Sequence, residues 1–128
     1  MKKITKKIIK NKRPTWDEYF LQIVESVGSR ATCDKGGSGC VLAQENRIVS
    51  TGYIGSLSGL PHCNEVGHDM KSGNCMRTIH AEQNAITQAL KFGLPLEGAT
   101  MYCKTTPCPA CAKMAKSLGV KRIVAKKS

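Results

Sequence analysis

The spacing of apolar residues predicts a helix near the start of the chain, followed by a strand hairpin. Apolar positions recur at helical intervals over residues 14–29, with acidic residues in the first turn. Two runs rich in strand-forming residues follow, at 39–43 and 47–53. The polar segment Gln44-Glu45-Asn46 separates them, so the two runs are predicted to pair as an antiparallel hairpin.

In the second half of the chain, helical and strand patterns alternate. A helix is predicted over about 80–92 and a strand over 99–103, then a shorter helix over 109–118 and a last strand over 120–125. Alternation of this kind favours parallel pairing between the strands. Because the hairpin contributes an antiparallel pair, the expected architecture is an α/β fold with a mixed sheet.

Residues 55–78 follow neither period and predict a long irregular stretch. A stretch of this length inside a compact domain is usually functional, or is held in place by something it binds.

Length and charge suggest one domain with a basic arm. The chain has 128 residues, and residues 1–13 hold seven of its 20 Lys and Arg and no acid. We therefore expect an arm at 1–13 and a single folded domain at 14–128. The composition of this arm indicates a solvated tail rather than a nucleic-acid contact, because no aromatic residue lies among its lysines.

The chain contains no apolar run near the ~20 residues of a membrane helix and no secretory signal. We therefore expect a cytoplasmic protein with no membrane partner. Seven cysteines in a reducing compartment indicate metal ligation rather than disulfides.

The segment Pro107-Cys108-Pro109-Ala110-Cys111 comes directly after a predicted strand, at a predicted helix start. Thiolates are favoured at a helix N-terminus, so Cys108 and Cys111 are candidate ligands of one metal, although a redox pair or two buried thiols also fit. A catalytic zinc needs about three protein ligands and one open position. His80, at another predicted helix start, is the natural third ligand.

Glu82 follows His80 by two residues. Side chains two apart on a helix point in different directions, so a carboxylate there is poorly placed to bind the same metal. It is better placed beside the metal as a proton carrier for a water molecule.

The combination of His-x-Glu with Pro-Cys-x-x-Cys is the known signature of zinc-dependent nucleobase deaminases. The resemblance extends beyond these two motifs. Over residues 16–124 the chain resembles the deoxycytidylate (dCMP) deaminases, which belong to the zinc-dependent cytidine and deoxycytidylate deaminase family. The matching segments are RATC (30–33), NRIVSTGY (46–53), SGLPHC (58–63), CMRTIHAEQNAI (75–86), EGATMYC (97–103), PCPACAKM (107–114) and GVKRIV (119–124).

This resemblance implies a three-layer α/β/α sandwich of the cytidine deaminase-like type, with a mixed central sheet that is short at the C-terminal end. It also implies hydrolytic deamination of dCMP to dUMP and ammonia, which supplies dUMP for thymidylate synthesis. The working form in such a family is a homo-oligomer, commonly a hexamer.

The resemblance also assigns roles to individual residues. His80, Cys108 and Cys111 would hold the catalytic zinc, and Glu82 would be the catalytic proton carrier. The backbone N–H of Ala81 would bind the pyrimidine O2, and Arg30 is a candidate contact for the nucleotide phosphate.

A second, structural zinc is implied in the long irregular stretch. The preferred ligands are Cys33, Cys63, His68 and Cys75, with His62 in reserve. The alternative is that these residues are polar loop groups and buried thiols. Cys40 and Cys103 lie in predicted strands and are expected in the core.

Two departures from the family pattern bear on function. Ile54 stands where the family usually has an asparagine, which leaves the nucleotide contacts and triphosphate regulation open. The family also often continues beyond the last predicted strand. Two rival functions remain: a tRNA adenosine deaminase, and a zinc-stabilised nucleic-acid-binding module without catalysis.

Overall fold

In the computed structural model, residues 13–31, 38–56, 70–71, 74–75 and 78–127 are described. Their main feature is a sheet of four strands, β1 (Gly39–Gln44), β2 (Arg47–Tyr53), β7 (Thr100–Thr105) and β8 (Arg122–Lys127). Across the sheet the strands follow the order β2-β1-β7-β8. β1 pairs antiparallel with β2 and with β7, whereas β7 and β8 are parallel, so the sheet is mixed as predicted.

The β1–β2 hairpin closes through a two-residue turn. Glu45 and Asn46 both adopt positive φ, at 52° and 61°. Two successive positive φ values are typical of the type I′ turn, whose twist matches that of the flanking strands. The register between the strands shifts after Leu42, so the hairpin also contains an irregularity of the β-bulge kind.

Helix α1 (Trp16–Gly28) covers one face of the sheet. Its N-cap, Thr15, accepts a hydrogen bond from the Glu18 backbone N–H at 3.1 Å, and the Glu18 carboxylate accepts one from the Thr15 N–H at 2.8 Å. This reciprocal capping box explains why the helix begins where it does. Its buried face packs on alternate sheet residues: Phe20 and Val24 against Val41, Ala43 and Tyr102.

Helices α2 (Ala81–Lys91) and α3 (Pro109–Ser117) cover the opposite face. Cys40 and Leu42 of β1, with Met101 and Cys103 of β7, point to this side because successive strand residues alternate in direction. These four side chains are almost fully buried against α2 and α3. The result is the expected three-layer α/β/α arrangement, and Cys40 and Cys103 are core residues as predicted.

Short strands lie in the region predicted to be irregular, so that prediction was wrong for part of its length. β3 (Gly55–Ser56) pairs with β6 (Thr78–Ile79), and β4 (Met70–Lys71) pairs with β5 (Asn74–Cys75). Strands of two residues are too short to show alternation in sequence, whether the partner is distant in the chain, as for β3 and β6, or close, as for β4 and β5. The β3–β6 pair brings the end of β2 close to the start of α2.

Among the described residues, no helix is both long and apolar enough to cross a membrane. Residues 1–12, which form most of the predicted basic arm, lie outside the described part of the chain.

Candidate active site

The candidate site lies where the N-termini of α2 and α3 meet one end of the sheet. His80 is the N-cap of α2, and its backbone N–H donates to Gln83 Oε1 at 2.9 Å. Cys108 is the N-cap of α3, with Pro109 as the first helical residue. Cys111 lies one turn into that helix, and its backbone N–H donates to Cys108 Sγ at 3.5 Å. Each predicted ligand is therefore placed by a helix start.

The three predicted ligands converge on one point. His80 Nδ1 lies 3.3 Å from Cys111 Sγ and 3.6 Å from Cys108 Sγ. The ligand atoms of all three residues lie within 4.8 Å of one another. In a tetrahedral zinc site with bonds of ~2.0 Å to nitrogen and ~2.3 Å to sulfur, nitrogen and sulfur are about 3.5 Å apart. One imidazole and two thiols at these distances fit zinc, and Nδ1 is the nitrogen that faces the thiols.

Electrostatics at the ligands also favour a cation. Burial raises the pKa of the Cys111 thiol to about 12, and the neighbouring Cys108 thiol adds to the shift. A buried thiolate therefore needs compensating positive charge, which a bound metal ion supplies. The N-terminus of α3 contributes in the same direction.

Glu82 lies in the first turn of α2 and is only 9% exposed. Burial raises the pKa of its carboxyl group, while its own backbone N–H and the nearby His80 act in the opposite direction. Glu82 is not part of the metal-ligand group, which agrees with the argument from spacing. A buried carboxylate beside a candidate metal site is suited to receiving and returning a proton.

Close packing against β2 fixes the position of α2. A Cβ atom on Gly52 would lie 2.5 Å from the Ala81 carbonyl oxygen and closer still to the Ala85 nitrogen, so only glycine fits. Ser50 Oγ donates to the Ala85 carbonyl at 2.6 Å, and Asn84 Nδ2 donates to the Tyr53 carbonyl at 2.6 Å. These contacts hold the helix that carries His80 and Glu82.

A cavity of about 220 Å³ opens beside these residues. Its described lining contains two ligands, the buried glutamate, an aliphatic side chain and one lysine, together with small and hydroxyl-bearing residues: Ser38, Gly39, Ile54, His80, Ala81, Glu82, Lys104, Thr105, Thr106 and Cys108. Larger hollows of about 490 and 350 Å³ lie around Trp16 and contain none of the predicted site residues. Chemistry rather than volume therefore identifies the site.

The remaining predicted site residues have different outcomes. Ala81 is buried and lines the cavity. Arg30 is exposed in the turn after α1, where its backbone N–H donates to the Val27 carbonyl at 3.1 Å, and it is not among the described lining residues. The second-zinc candidates Cys33, His62, Cys63 and His68 lie outside the described residues, as does the side chain of Cys75.

The sequence did not indicate Ser38, Lys104, Thr105 or Thr106 as part of the site. The only signal available was position, since Lys104, Thr105 and Thr106 directly precede Pro107-Cys108. Residues next to a metal ligand often line the same cavity. Ser38 lines it for a different reason, because it directly precedes β1, the neighbour of β7 in the sheet.

Comparison with known proteins agrees with this geometry. The family model for the cytidine and deoxycytidylate deaminase zinc-binding region matches residues 14–127. The chain belongs to this family. The ComE operon protein 2 of Bacillus subtilis is 38% identical over 111 residues, which cover 87% of this chain and 59% of that protein.

Deoxycytidylate deaminases are also among the relatives. The enzyme of Schizosaccharomyces pombe is 35% identical, over 88% of this chain and 37% of its own length. That of Mycobacterium phage D29 is 33% identical, over 88% of this chain and 94% of its own length. The chain thus spans only about 37–59% of the first two relatives but nearly all of the phage enzyme.

The fold is shared with solved deaminase structures. The dCMP deaminase of cyanophage S-TIM5, in complex with dCMP and dUMP, has a TM-score of 0.79 and 24% identity, covering 91% of this chain and 84% of that one. A structure from a study of tRNA:A34 deaminases gives a TM-score of 0.59 at 21% identity, over 85% of this chain and 75% of the other. Both comparisons confirm the predicted cytidine deaminase-like fold.

Proposed function

We propose that this protein is a zinc-dependent hydrolase that converts dCMP and water to dUMP and ammonia. The observation that carries the proposal is the grouping of His80 Nδ1 with the two thiols, with a buried glutamate beside them on the wall of one cavity. Several relatives of similar sequence bear the name deoxycytidylate deaminase, which supports dCMP as the substrate.

His80, Cys108 and Cys111 would hold the metal in this proposal. Zinc in a site with three protein ligands activates water at neutral pH by lowering its pKa towards ~7. The three side chains are positioned by helix starts and by the Cys111–Cys108 contact, which places their ligand atoms close enough to share one metal ion.

Glu82 would carry the protons. Its carboxylate accepts a proton from water as the oxygen forms a bond to C4 of the cytosine ring. It then delivers that proton to N3. A second proton passes from the new C4 hydroxyl through Glu82 to the amino nitrogen, so the C4–N bond breaks, ammonia leaves and C4 becomes a carbonyl. Both protons of the water are thereby accounted for, one on N3 and one on ammonia.

The cavity walls would orient the pyrimidine. The backbone N–H of Ala81 belongs to the first turn of α2, where helical N–H groups have no partner within the helix. It has no acceptor among the described residues and Ala81 lines the cavity, which supports the proposed bond from this N–H to the pyrimidine O2. Ile54 adds an aliphatic surface for the ring or sugar.

Other parts of the proposal rest on sequence alone. Arg30 remains a proposed phosphate contact, and a homo-oligomer, possibly hexameric in the manner of the family, remains the proposed working form. A cytoplasmic location also belongs to the proposal, because a reducing compartment keeps thiol ligands available. The division into a basic arm at 1–13 and a domain at 14–128 stays a prediction.

The test compares substrates on zinc-loaded protein. Ammonia release from dCMP should be seen with zinc and should disappear when a chelator removes the metal and return when zinc is restored. A tRNA anticodon stem-loop with a target adenosine serves as the competing substrate, measured side by side. Inosine formation without dCMP turnover would favour a tRNA adenosine deaminase, and zinc binding without either activity would favour a binding module.

A further inference from the structure

The candidate cavity has an uneven charge distribution. Its described lining includes one basic residue, Lys104, and one acidic residue, Glu82. Because strand residues alternate in direction, Lys104 leaves the sheet on the α1 face with Tyr102, at the end of the sheet where the cavity opens. Glu82 lies at the metal-ligand end of the cavity, next to His80 and Ala81. The positive charge of Lys104 suits it to bind a different part of the ligand, one that carries negative charge.

Strand pairing determines the position of Lys104. β7 runs on past the core residue Cys103 because it continues to pair with β8, with Cys103 opposite Ala125 and Thr105 opposite Lys127. Lys104 therefore lies on an ordered strand, half-buried, directly before the loop that leads to Cys108. The strand fixes the backbone of Lys104, so ligand binding has to order only its side chain, whereas for a residue on a loop it also orders the backbone.

The neighbouring acidic residue is already paired with another lysine. Glu25 of α1 accepts a hydrogen bond from Lys126 Nζ at 2.9 Å. This bond is the main cause of the lowered pKa of Glu25, and the charge of Lys104 contributes less. Lys104 itself forms no salt bridge with any described acid. Its ammonium group is therefore available to an anionic ligand.

We propose that Lys104 determines substrate specificity by binding the 5′-phosphate of the nucleotide. The inference rests on the proposed function, since it requires a pyrimidine nucleotide in the cavity. Ile54, which has no donor or acceptor in its side chain, lines the same cavity. Recognition of the part of the substrate beyond the base therefore relies on charge, and Lys104 supplies that charge as a compact ammonium on a flexible stem.

The test is the ratio of kcat/KM for dCMP to kcat/KM for deoxycytidine. Lys104→Met should lower this ratio about tenfold, near the lower limit for a charged hydrogen bond because the lysine is only half-buried. Lys104→Arg should retain most of the ratio. Lys116→Met is the control, because it removes an exposed lysine that lies outside the described cavity lining and forms no salt bridge with a described acid.

Binding measurements remove the dependence on turnover. Affinities of the zinc-loaded proteins for dUMP and deoxyuridine should show the same selective loss for dUMP in Lys104→Met. Zinc content and the thermal midpoint of each variant identify any variant that is misfolded. If Lys104→Met is misfolded, Lys104→Arg and the salt dependence of wild-type dUMP binding test whether a positive charge at this position binds the phosphate.

The outcomes separate the two proposals. A wild-type preference for dCMP that survives Lys104→Met, or that falls equally in Lys116→Met, overturns the assignment to Lys104 and leaves the proposed function standing. Equal wild-type values for dCMP and deoxycytidine overturn the nucleotide substrate itself, and this inference with it. A selective loss in Lys104→Met alone supports both.

Discussion

At the scale of single residues, the candidate site depends on a difference between His80 and Glu82. His80 caps α2 and directs Nδ1 towards two thiols. Glu82 is a buried residue of the first helical turn and does not belong to the group of ligand atoms. The proposed metal ligand and the proposed proton carrier are thereby separate residues on one helix turn. The separation explains why removing one function should leave the other in place.

Glu82→Gln is expected to retain zinc and fold but to lose most activity. The amide has nearly the same shape as the carboxylate but cannot carry a proton, and general acid–base catalysis typically contributes ~10²–10⁴-fold. Metal analysis and kcat on dCMP measure the two effects. Glu97→Gln is the control, since Glu97 is exposed and lies outside the cavity lining. Loss of zinc together with activity in Glu82→Gln would show that Glu82 is a ligand.

The site residues that the sequence identified are those with a chemical pattern. His-x-Glu and Pro-Cys-x-x-Cys combine residue types and spacing that few functions other than zinc-dependent deamination require. Lys104 and Ser38 could not be found in this way, because a lone lysine or serine has no spacing rule and its role depends on which strand ends next to the cavity. The choice of Nδ1 over Nε2 likewise depends on backbone geometry at the helix start.

At the scale of secondary structure, apolar spacing predicted every main helix and strand, and the errors lie at their ends. β7 was predicted to end at Cys103 and β8 at Ala125, where the apolar pattern stops. Both strands continue two residues further because their backbones pair, with Thr105 opposite Lys127. Backbone hydrogen bonding between distant segments leaves no trace in the order of apolar residues, and the same reason explains the missed β3–β6 pair.

Gly52→Ala is expected to destabilise the protein and to disturb the site. The added methyl group would meet the backbone of α2 at Ala81 and Ala85, and overpacking of this kind costs about 1–3 kcal/mol. Because α2 carries His80 and Glu82, activity should fall together with the unfolding midpoint in urea. Gly93→Asn is the matched control, since a Cβ atom at this position would meet nothing within 4 Å and asparagine tolerates the positive φ of 68°. Equal stability of the two variants would contradict the close helix–strand contact.

Asp17 links α1 to the sheet and should make stability depend on pH. Its carboxylate accepts a hydrogen bond from the Tyr102 hydroxyl at 2.7 Å and pairs with Arg122 at 2.8 Å. The bond from Arg122, followed by that from Tyr102, holds the pKa of Asp17 below its usual 3.8. A lowered folded-state pKa contributes stability above the unfolded pKa, and this contribution is lost as pH falls below it.

Asp17→Asn should therefore be less stable than wild type near pH 6, and the difference should shrink as pH falls through about 4 towards 3. Urea unfolding of both proteins across this range measures the difference, in which the titration of shared groups cancels. Arg122→Gln in both backgrounds provides the control, because it removes the main cause of the shift. A stability difference that stays constant with pH would contradict the pairing.

At the scale of the whole molecule, the three-layer fold with its mixed sheet brings the candidate site together at one end of the sheet.

The number of zinc ions bound by the whole chain tests the predicted second site. Zinc should bind at about two ions per chain if the predicted second site exists, and at about one if it does not. Cys63→Ser should then lower zinc content by one and reduce stability, because a structural zinc contributes folding free energy directly. Cys40→Ser is the comparison, since Cys40 is a core thiol outside the described ligand group. A fully loaded protein with one zinc per chain would rule out the second site.

The central claim is that this chain uses zinc to deaminate a pyrimidine nucleotide, and the most direct measurement is kcat/KM for dCMP and for deoxycytidine on the zinc-loaded protein. A charged hydrogen bond to the phosphate corresponds to roughly 10–150-fold in this ratio. We therefore predict a preference for dCMP of at least about tenfold, with dUMP and ammonia formed in equal amounts. Equal values for the two substrates, or no ammonia from either, would contradict the account.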